Sequence, residues 1–114
     1  MNHRVLKYIL DIESVIEEIE EIKKRVGNNF NEYKADFLIR RATERELEII
    51  GEAVRKLLET ETSIKLEHSA KIIGLRNIIS HAYDSVDDEL IWSIIQKNIP
   101  SLQQEILELR NLYI

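Results

Sequence analysis

Between positions 76 and 83 the chain sets four side chains able to do chemistry into an otherwise apolar run: Arg76, Asn77, His81 and Tyr83, within Gly74-Leu75-Arg76-Asn77-Ile78-Ile79-Ser80-His81-Ala82-Tyr83. Polar groups at the edge of a core cost free energy unless they are paired or used. An imidazole ordinarily titrates near about pH 6.5, so His81 suits proton transfer at neutral pH. A guanidinium can clamp phosphate oxygens through two parallel hydrogen bonds, which is the chemistry open to Arg76. Asn77 is placed to orient His81 or to contact a ligand backbone, and Tyr83 adds a hydroxyl. On a helix that turns about 100° per residue, Asn77 and His81 fall on one face and Arg76 and Tyr83 on an adjacent one, so the four can border a single concave site. Arg76 and His81, however, lie roughly 140° apart around the axis. One ideal helix does not aim both at the same atom. Either the helix is distorted there or two copies of it combine, and a symmetric dimer is the common way to combine them. A plainer reading stands beside this one: a histidine bonded to an asparagine one turn away is ordinarily structural, and a lone tyrosine at a helix end is ordinarily an anchor.

Other chemistries lack their residues. The three histidines, His3, His68 and His81, are too scattered for a metal pair one turn apart, and no carboxylates frame a calcium loop. There is no glycine-rich phosphate loop. The absence of cysteine removes disulfides, thiolate nucleophiles and Cys-ligated zinc or iron-sulfur centres. No metal and no cofactor is therefore expected. A length of 114 residues suits one small domain spanning 1–114 and excludes an enzyme with separate cofactor and substrate modules. The net charge of −5 argues against coating nucleic acid through bulk positive charge, so any nucleic-acid role needs a local basic site. The segment from Lys65 to Tyr83 supplies one, with Lys65, Lys71 and Arg76 against Glu67 alone. No apolar run approaches the roughly 20 residues of a membrane span, and Met1-Asn2-His3-Arg4 leads into charged periodic sequence rather than a signal core. A soluble, cytoplasmic protein is expected.

The elements that must position these groups read as helices throughout. Composition agrees: 44% hydrophobic, only 6% aromatic, 32% charged, with three Gly and one Pro. Val5, Ile9, Ile12, Ile16, Ile19, Ile22 and Val26 recur at three- and four-residue spacing and make one apolar stripe, which Gly27-Asn28-Asn29 should end. A second helix is expected from about Glu32 to about Leu58, capped by Asn31, with Phe37, Ala42, Leu47, Ile50, Val54 and Leu57 as core candidates. Gly51 inside it costs about 1 kcal/mol relative to alanine, so close approach of a neighbouring helix explains it better than a break. After a loop over Glu59 to Ser63, a third helix begins near Lys65 to Ser69, carries Ile72, Ile73, Leu75, Ile78, Ile79 and Ala82, and ends near Tyr83-Asp84. Ser85-Val86-Asp87-Asp88 has the form of a capping box opening a fourth helix through Leu90, Ile91, Ile94 and Ile95. Pro100 suits the first turn of a last helix with Leu102, Ile106, Leu109 and Leu112 on one face. The fold expected is all-α: an antiparallel bundle of four long helices plus a short one. Arg40, Arg41 and Arg45 are expected to pair with Glu44 and Glu48 along their own helix.

The polar cluster resembles the hallmark of the HepT-like toxins of the HEPN superfamily: Arg, four residues, His, one residue, Tyr, here Arg76, His81 and Tyr83. The similarity extends along nearly the whole chain. Arg41-Ala42-Thr43-Glu44-Arg45-Glu46-Leu47-Glu48-Ile49-Ile50-Gly51-Glu52-Ala53 looks like the family's second-helix signature, Gly74-Leu75-Arg76-Asn77 like the approach to its active helix, and Val86-Asp87 through Trp92 to Ile99-Pro100-Ser101-Leu102 like its C-terminal part. One departure is a tryptophan expected a few residues before Gly74, where Leu66 to Ala70 stand instead.

What the resemblance implies is a homodimeric, metal-independent endoribonuclease toxin of a type VII-like toxin-antitoxin pair, acting on RNA, with transfer RNA among the family's targets. Arg76 and His81 would be catalytic and Asn77 supporting. A minimal nucleotidyltransferase antitoxin of the MntA type would neutralise it by transferring AMP to Tyr83, alone or within a larger hetero-oligomer. The competing reading is a non-catalytic nucleotide- or RNA-binding subunit, or an antidote, of a nucleotidyltransferase complex. Arg76 and Asn77 would then bind phosphate without cleaving.

Overall fold

The structure, a computed structural model, describes residues 3–81 and 86–114. Six α-helices follow one another: α1 His3–Arg25, α2 Phe30–Ala35, α3 Phe37–Thr60, α4 Ser69–His81, α5 Asp88–Ser93 and α6 Ile99–Tyr113, with a π-helical turn over Ile94–Asn98 joining the last two. Among the described residues there is no strand. Four long rods and the short α2 make the all-α, HEPN-like bundle.

In α1 every residue of the predicted stripe from Val5 to Ile22 is buried. The helix ends where glycine allows it: Gly27 (φ +60°) and Asn28 (φ +53°) turn left-handed, with the Gly27 amide donating to the Lys24 carbonyl (2.9 Å) and the Asn28 amide to the Lys23 carbonyl (2.8 Å). That is a Schellman closure, the C-terminal arrangement in which a positive φ is cheapest for glycine.

The single second helix expected from Glu32 is two helices. Asn29, not Asn31, caps α2 by accepting from the Glu32 amide (3.1 Å). Asp36 then leaves the helical region (φ −109°, ψ 101°) and caps α3, its Oδ1 accepting from the Leu38 and Ile39 amides at 3.1 and 3.2 Å. Aspartate competes with the helix for its own backbone donors, so it starts a helix more readily than it continues one. Two core candidates within α3 fall outside, because they lie roughly 100° or more around the helix from the buried stripe: Phe37 is 61% exposed and Ala42 is exposed, whereas Leu47, Ile50, Val54 and Leu57 are buried as expected. Tyr33 of α2 is buried against Phe30 and Trp92, with ring centroids 6.4 and 5.2 Å away.

Within α4 the inward stripe is Ile72, Leu75 and Ile79, while Ile78 is half exposed. Ile64 and Leu66, in the loop where the family tryptophan is missing, are buried in the core. Asp87 caps α5, its Oδ1 accepting from the Glu89 and Leu90 amides at 3.0 and 3.2 Å; the cap expected at Ser85 lies outside the described residues, as do Ala82, Tyr83 and Asp84. The fourth and last helices, expected to be separated at Pro100, run continuously from Asp88 to Tyr113. Proline has no amide to donate, and the π turn just before it, in which the Ile99 amide bonds to Ile94, lets the rod absorb the residue without ending.

The central helix is α3, with α1 and α4 packed on it and α6 packed on α1. Gly51 is the close approach expected of it: a Cβ there would stand 3.0 Å from the Ile72 carbonyl oxygen and 3.6 Å from Arg76 Cβ. The backbones of α3 and α4 meet at the point from which Arg76 projects.

Candidate active site

Arg76 and Ser80, one turn apart, lie on the flank of α4 that faces α3. There they border a groove of about 550 Å³ that runs over α3 between α1 and α4. Each helix lines it with a stripe at three- and four-residue spacing: Lys7, Tyr8, Asp11, Ser14 and Val15 from α1, and Arg45, Glu48, Ile49, Glu52, Ala53 and Lys56 from α3. The lining has four cations, Lys7, Arg45, Lys56 and Arg76, against three carboxylates, Asp11, Glu48 and Glu52. The local field expected from Lys65, Lys71 and Arg76 is therefore built differently: its cations come from three helices, and acids are interleaved with them.

Several of those charges are held. Lys7 bonds Asp11 at 2.6 Å, a contact that raises the ammonium pKa. Arg76 Nε stands 3.3 Å from Glu52 Oε2, and Ser80 Oγ donates to Glu48 Oε2 at 2.9 Å. Glu52 is also grasped by Arg55 through two nitrogens. The Arg55 hydrogen bonds, followed by the charges of Arg55, Arg76 and Lys56, hold the Glu52 carboxyl below the usual range. Of the arginines on α3, Arg41 pairs with Glu44 (2.9 Å) as expected, but Arg40 reaches across to Asp88 (3.9 Å) and Arg45 lines the groove.

Asn77 and His81 sit elsewhere. Both are exposed, about 100° and 140° further round α4 than Arg76, on the face turned away from the buried stripe. One chain thus brings Arg76 to the groove and leaves Asn77 and His81 on the outer face, so these three do not border one cleft within it. That outer face is low in relief: a Cβ on Gly74 would meet nothing within 4 Å, and Ile78 is half exposed beside it. Tyr83, the fourth residue of the cluster, lies outside the described residues. Among the described residues no group of three or more His, Asp or Glu is placed to hold a metal ion, and no helix is long and apolar enough to cross a membrane.

The motif helix can be set beside known proteins. The family model described as "Ribonuclease HepT-like" matches residues 15–109, which include α3, α4 and the whole polar cluster. The chain belongs to the HepT-like family. Several relatives are matched over most of their own length. A protein named "Putative RNase" from Caldanaerobacter subterraneus is 35% identical over 103 residues, 86% of this chain and 89% of its own. Another of that name from Methanocaldococcus jannaschii is 32% identical over 109 residues, 93% of this chain and 97% of its own. A "Probable ribonuclease HepT" from Thermococcus cleftensis is 32% identical over 104 residues, 90% of this chain and 93% of its own. No solved structure gives a significant match.

Of the groove residues of this HepT-like chain, Ser80, Glu48, Glu52 and Lys56 carry no site motif of their own. A signal existed. Positions 45, 48, 52 and 56 are all charged at helical spacing, a second stripe running alongside the core stripe of Leu47, Ile50, Val54 and Leu57.

Proposed function

We propose that this chain is a metal-independent endoribonuclease, the toxin of a type VII-like toxin-antitoxin pair, with Arg76 and His81 as catalytic groups and Asn77 in support. The observation that carries this reading is the place of Arg76 and His81 on α4, inside the segment matched by the HepT-like model. In the reaction, His81 takes the proton of a ribose 2′-hydroxyl. The 2′-oxygen then bonds to phosphorus, the bond from phosphorus to the 5′-oxygen breaks, and the imidazolium returns the proton to the departing 5′-oxygen. Arg76 neutralises charge on the phosphoryl oxygens as the five-coordinate transition state forms. The products are a 2′,3′-cyclic phosphate and a 5′-hydroxyl.

The angular split between Arg76 and His81 supports a composite site in a homodimer, in which the outer face of α4 meets its copy and the His81 of one chain approaches the Arg76 of the other. Purified protein incubated with transfer RNA in excess EDTA is expected to cleave it and to leave cyclic phosphate ends on a sequencing gel. Retained RNA binding without any product would overturn the enzymatic reading in favour of a binding subunit.

Neutralisation is proposed to occur at Tyr83. Attack of its hydroxyl on the α-phosphorus of ATP, with loss of pyrophosphate, would place a bulky anion two residues from His81 and repel the RNA backbone. Co-expression with a minimal nucleotidyltransferase should add one or more AMP masses to the Tyr83 peptide. An unmodified Tyr83 in a fully inhibited complex would point to steric inhibition instead.

A further inference from the structure

We infer that Glu52 is the positioning residue for Arg76: its carboxylate forms an ion pair on the Nε side of the guanidinium, which leaves the two terminal nitrogens to receive phosphate. This rests on the ribonuclease reading above and assigns that site one more working part. The geometry is a ladder of two rungs. Glu48 and Glu52 stand one turn apart on α3, and Ser80 and Arg76 stand one turn apart on α4 in the reverse order. Ser80 Oγ to Glu48 Oε2 is 2.9 Å, and Arg76 Nε to Glu52 Oε2 is 3.3 Å. Gly51 stands beside the second rung, where the missing Cβ lets the helix backbones close until Ile72 and Arg76 lie against α3.

The carboxylate that does the holding is itself held. Arg55 engages Glu52 through Nη2 on Oε1 and through Nε on Oε2 at 3.3 Å, and Arg55 is steadied in turn by Glu59 at 2.6 and 2.9 Å. A bidentate pair fixes the plane of the carboxyl group, so Arg76 meets an oriented carboxylate rather than a rotating one. Among the described residues no nitrogen of Arg76 donates a hydrogen bond, so Glu52 acts on it through charge and proximity. Three cations, Arg55, Arg76 and Lys56, act on the single Glu52 carboxylate. Arg76 is steered without being neutralised, which is what an arginine that must still attract phosphate requires.

A carboxylate that only braced two helices would affect melting and leave kinetics alone. One that aims Arg76 affects the chemical step, because a slack guanidinium still attracts RNA but misses the transition state. Glu52→Gln is therefore expected to lower kcat about 10-fold while KM for RNA stays level or falls, since one negative charge leaves the groove. In an Arg76→Lys background, which has no Nε to hold, Glu52→Gln should cause no further loss of kcat. An equal loss in both backgrounds, or a raised KM with kcat unchanged, would overturn the assignment. A wild type that never cleaves RNA refutes the ribonuclease reading, and the inference is then decided by NMR of the free protein. The Arg76 Nε–H resonance should be resolved in wild type and collapse to the averaged solvent-exposed position in Glu52→Gln; an Arg76 signal already averaged in wild type would sink it.

Discussion

Replacement of His81 by alanine is expected to lower RNA cleavage about 10²- to 10⁴-fold, the usual worth of a positioned proton acceptor. Arg76→Ala should cost on the order of 10³-fold, the scale of a lost transition-state charge contact. Neither change should unfold the protein. His81 is exposed at the end of α4 and the Arg76 side chain is 49% exposed, so far-UV circular dichroism should keep its helical signal in both variants. Mixing the two inactive variants then tests the composite site. If Arg76 of one chain works with His81 of the other, a mixed dimer contains one complete pair, and cleavage should return when the proteins are unfolded together and refolded. If both groups act within one chain, no mixed dimer is complete and activity stays lost. Cleavage by Arg76→Ala or His81→Ala alone at the wild-type rate would remove these residues from the mechanism.

The second large effect is expected at Gly51. Valine there would drive its branches against the Ile72 carbonyl, already 3.0 Å from where a Cβ would stand, and that neighbour is helix backbone rather than a flexible side chain. Overpacking of this kind costs about 1–3 kcal/mol, against which the improved helix propensity returns only about 0.4 kcal/mol. A net loss of about 2 kcal/mol should lower the melting temperature by about 8 °C for a domain of this size. Cleavage should fall further than stability, measured well below the melting point, because α4 must move off α3 and carry Arg76 with it. Gly51→Ala is the informative control: a gain of about 1 kcal/mol in propensity opposes a contact only a few tenths of an ångström too tight. Gly51→Val melting as high as wild type would show that the α3–α4 seam is not set by this contact.

These two expectations draw on different levels of what could be read beforehand. The motif itself was legible, since Arg76, His81 and Tyr83 are recognised by type and spacing along the chain. Gly51 was legible as a close approach, because a glycine inside a long helix lacks any local justification. The restart at Asp36 was not. An aspartate serves an exposed helix interior or an N-cap, and only the extended backbone at Asp36 with its two accepted amide bonds distinguishes the second. Phe37, expected in the core, is exposed because it stands roughly 120° around α3 from the stripe of Leu47, Ile50, Val54 and Leu57. Pro100 read as a start signal, yet a π turn before it made continuation cheap.

By itself, then, the sequence determined the helical class, the buried stripe of α1, its end at Gly27 and the angular positions of the polar residues on α4. All of these follow from periodicity and turn chemistry within a few residues. Tertiary structure alone decided which of those angles faces a neighbour. Arg76 meets Glu52, Ser80 meets Glu48, and Asn77 and His81 look outward. The pairing of side chains 24 and 32 positions apart depends on how two helices are rotated against each other. That rotation is set by the summed packing of Ile50, Val54, Ile72, Leu75 and Ile79 and by the backbone contact at Gly51, and no local pattern encodes it.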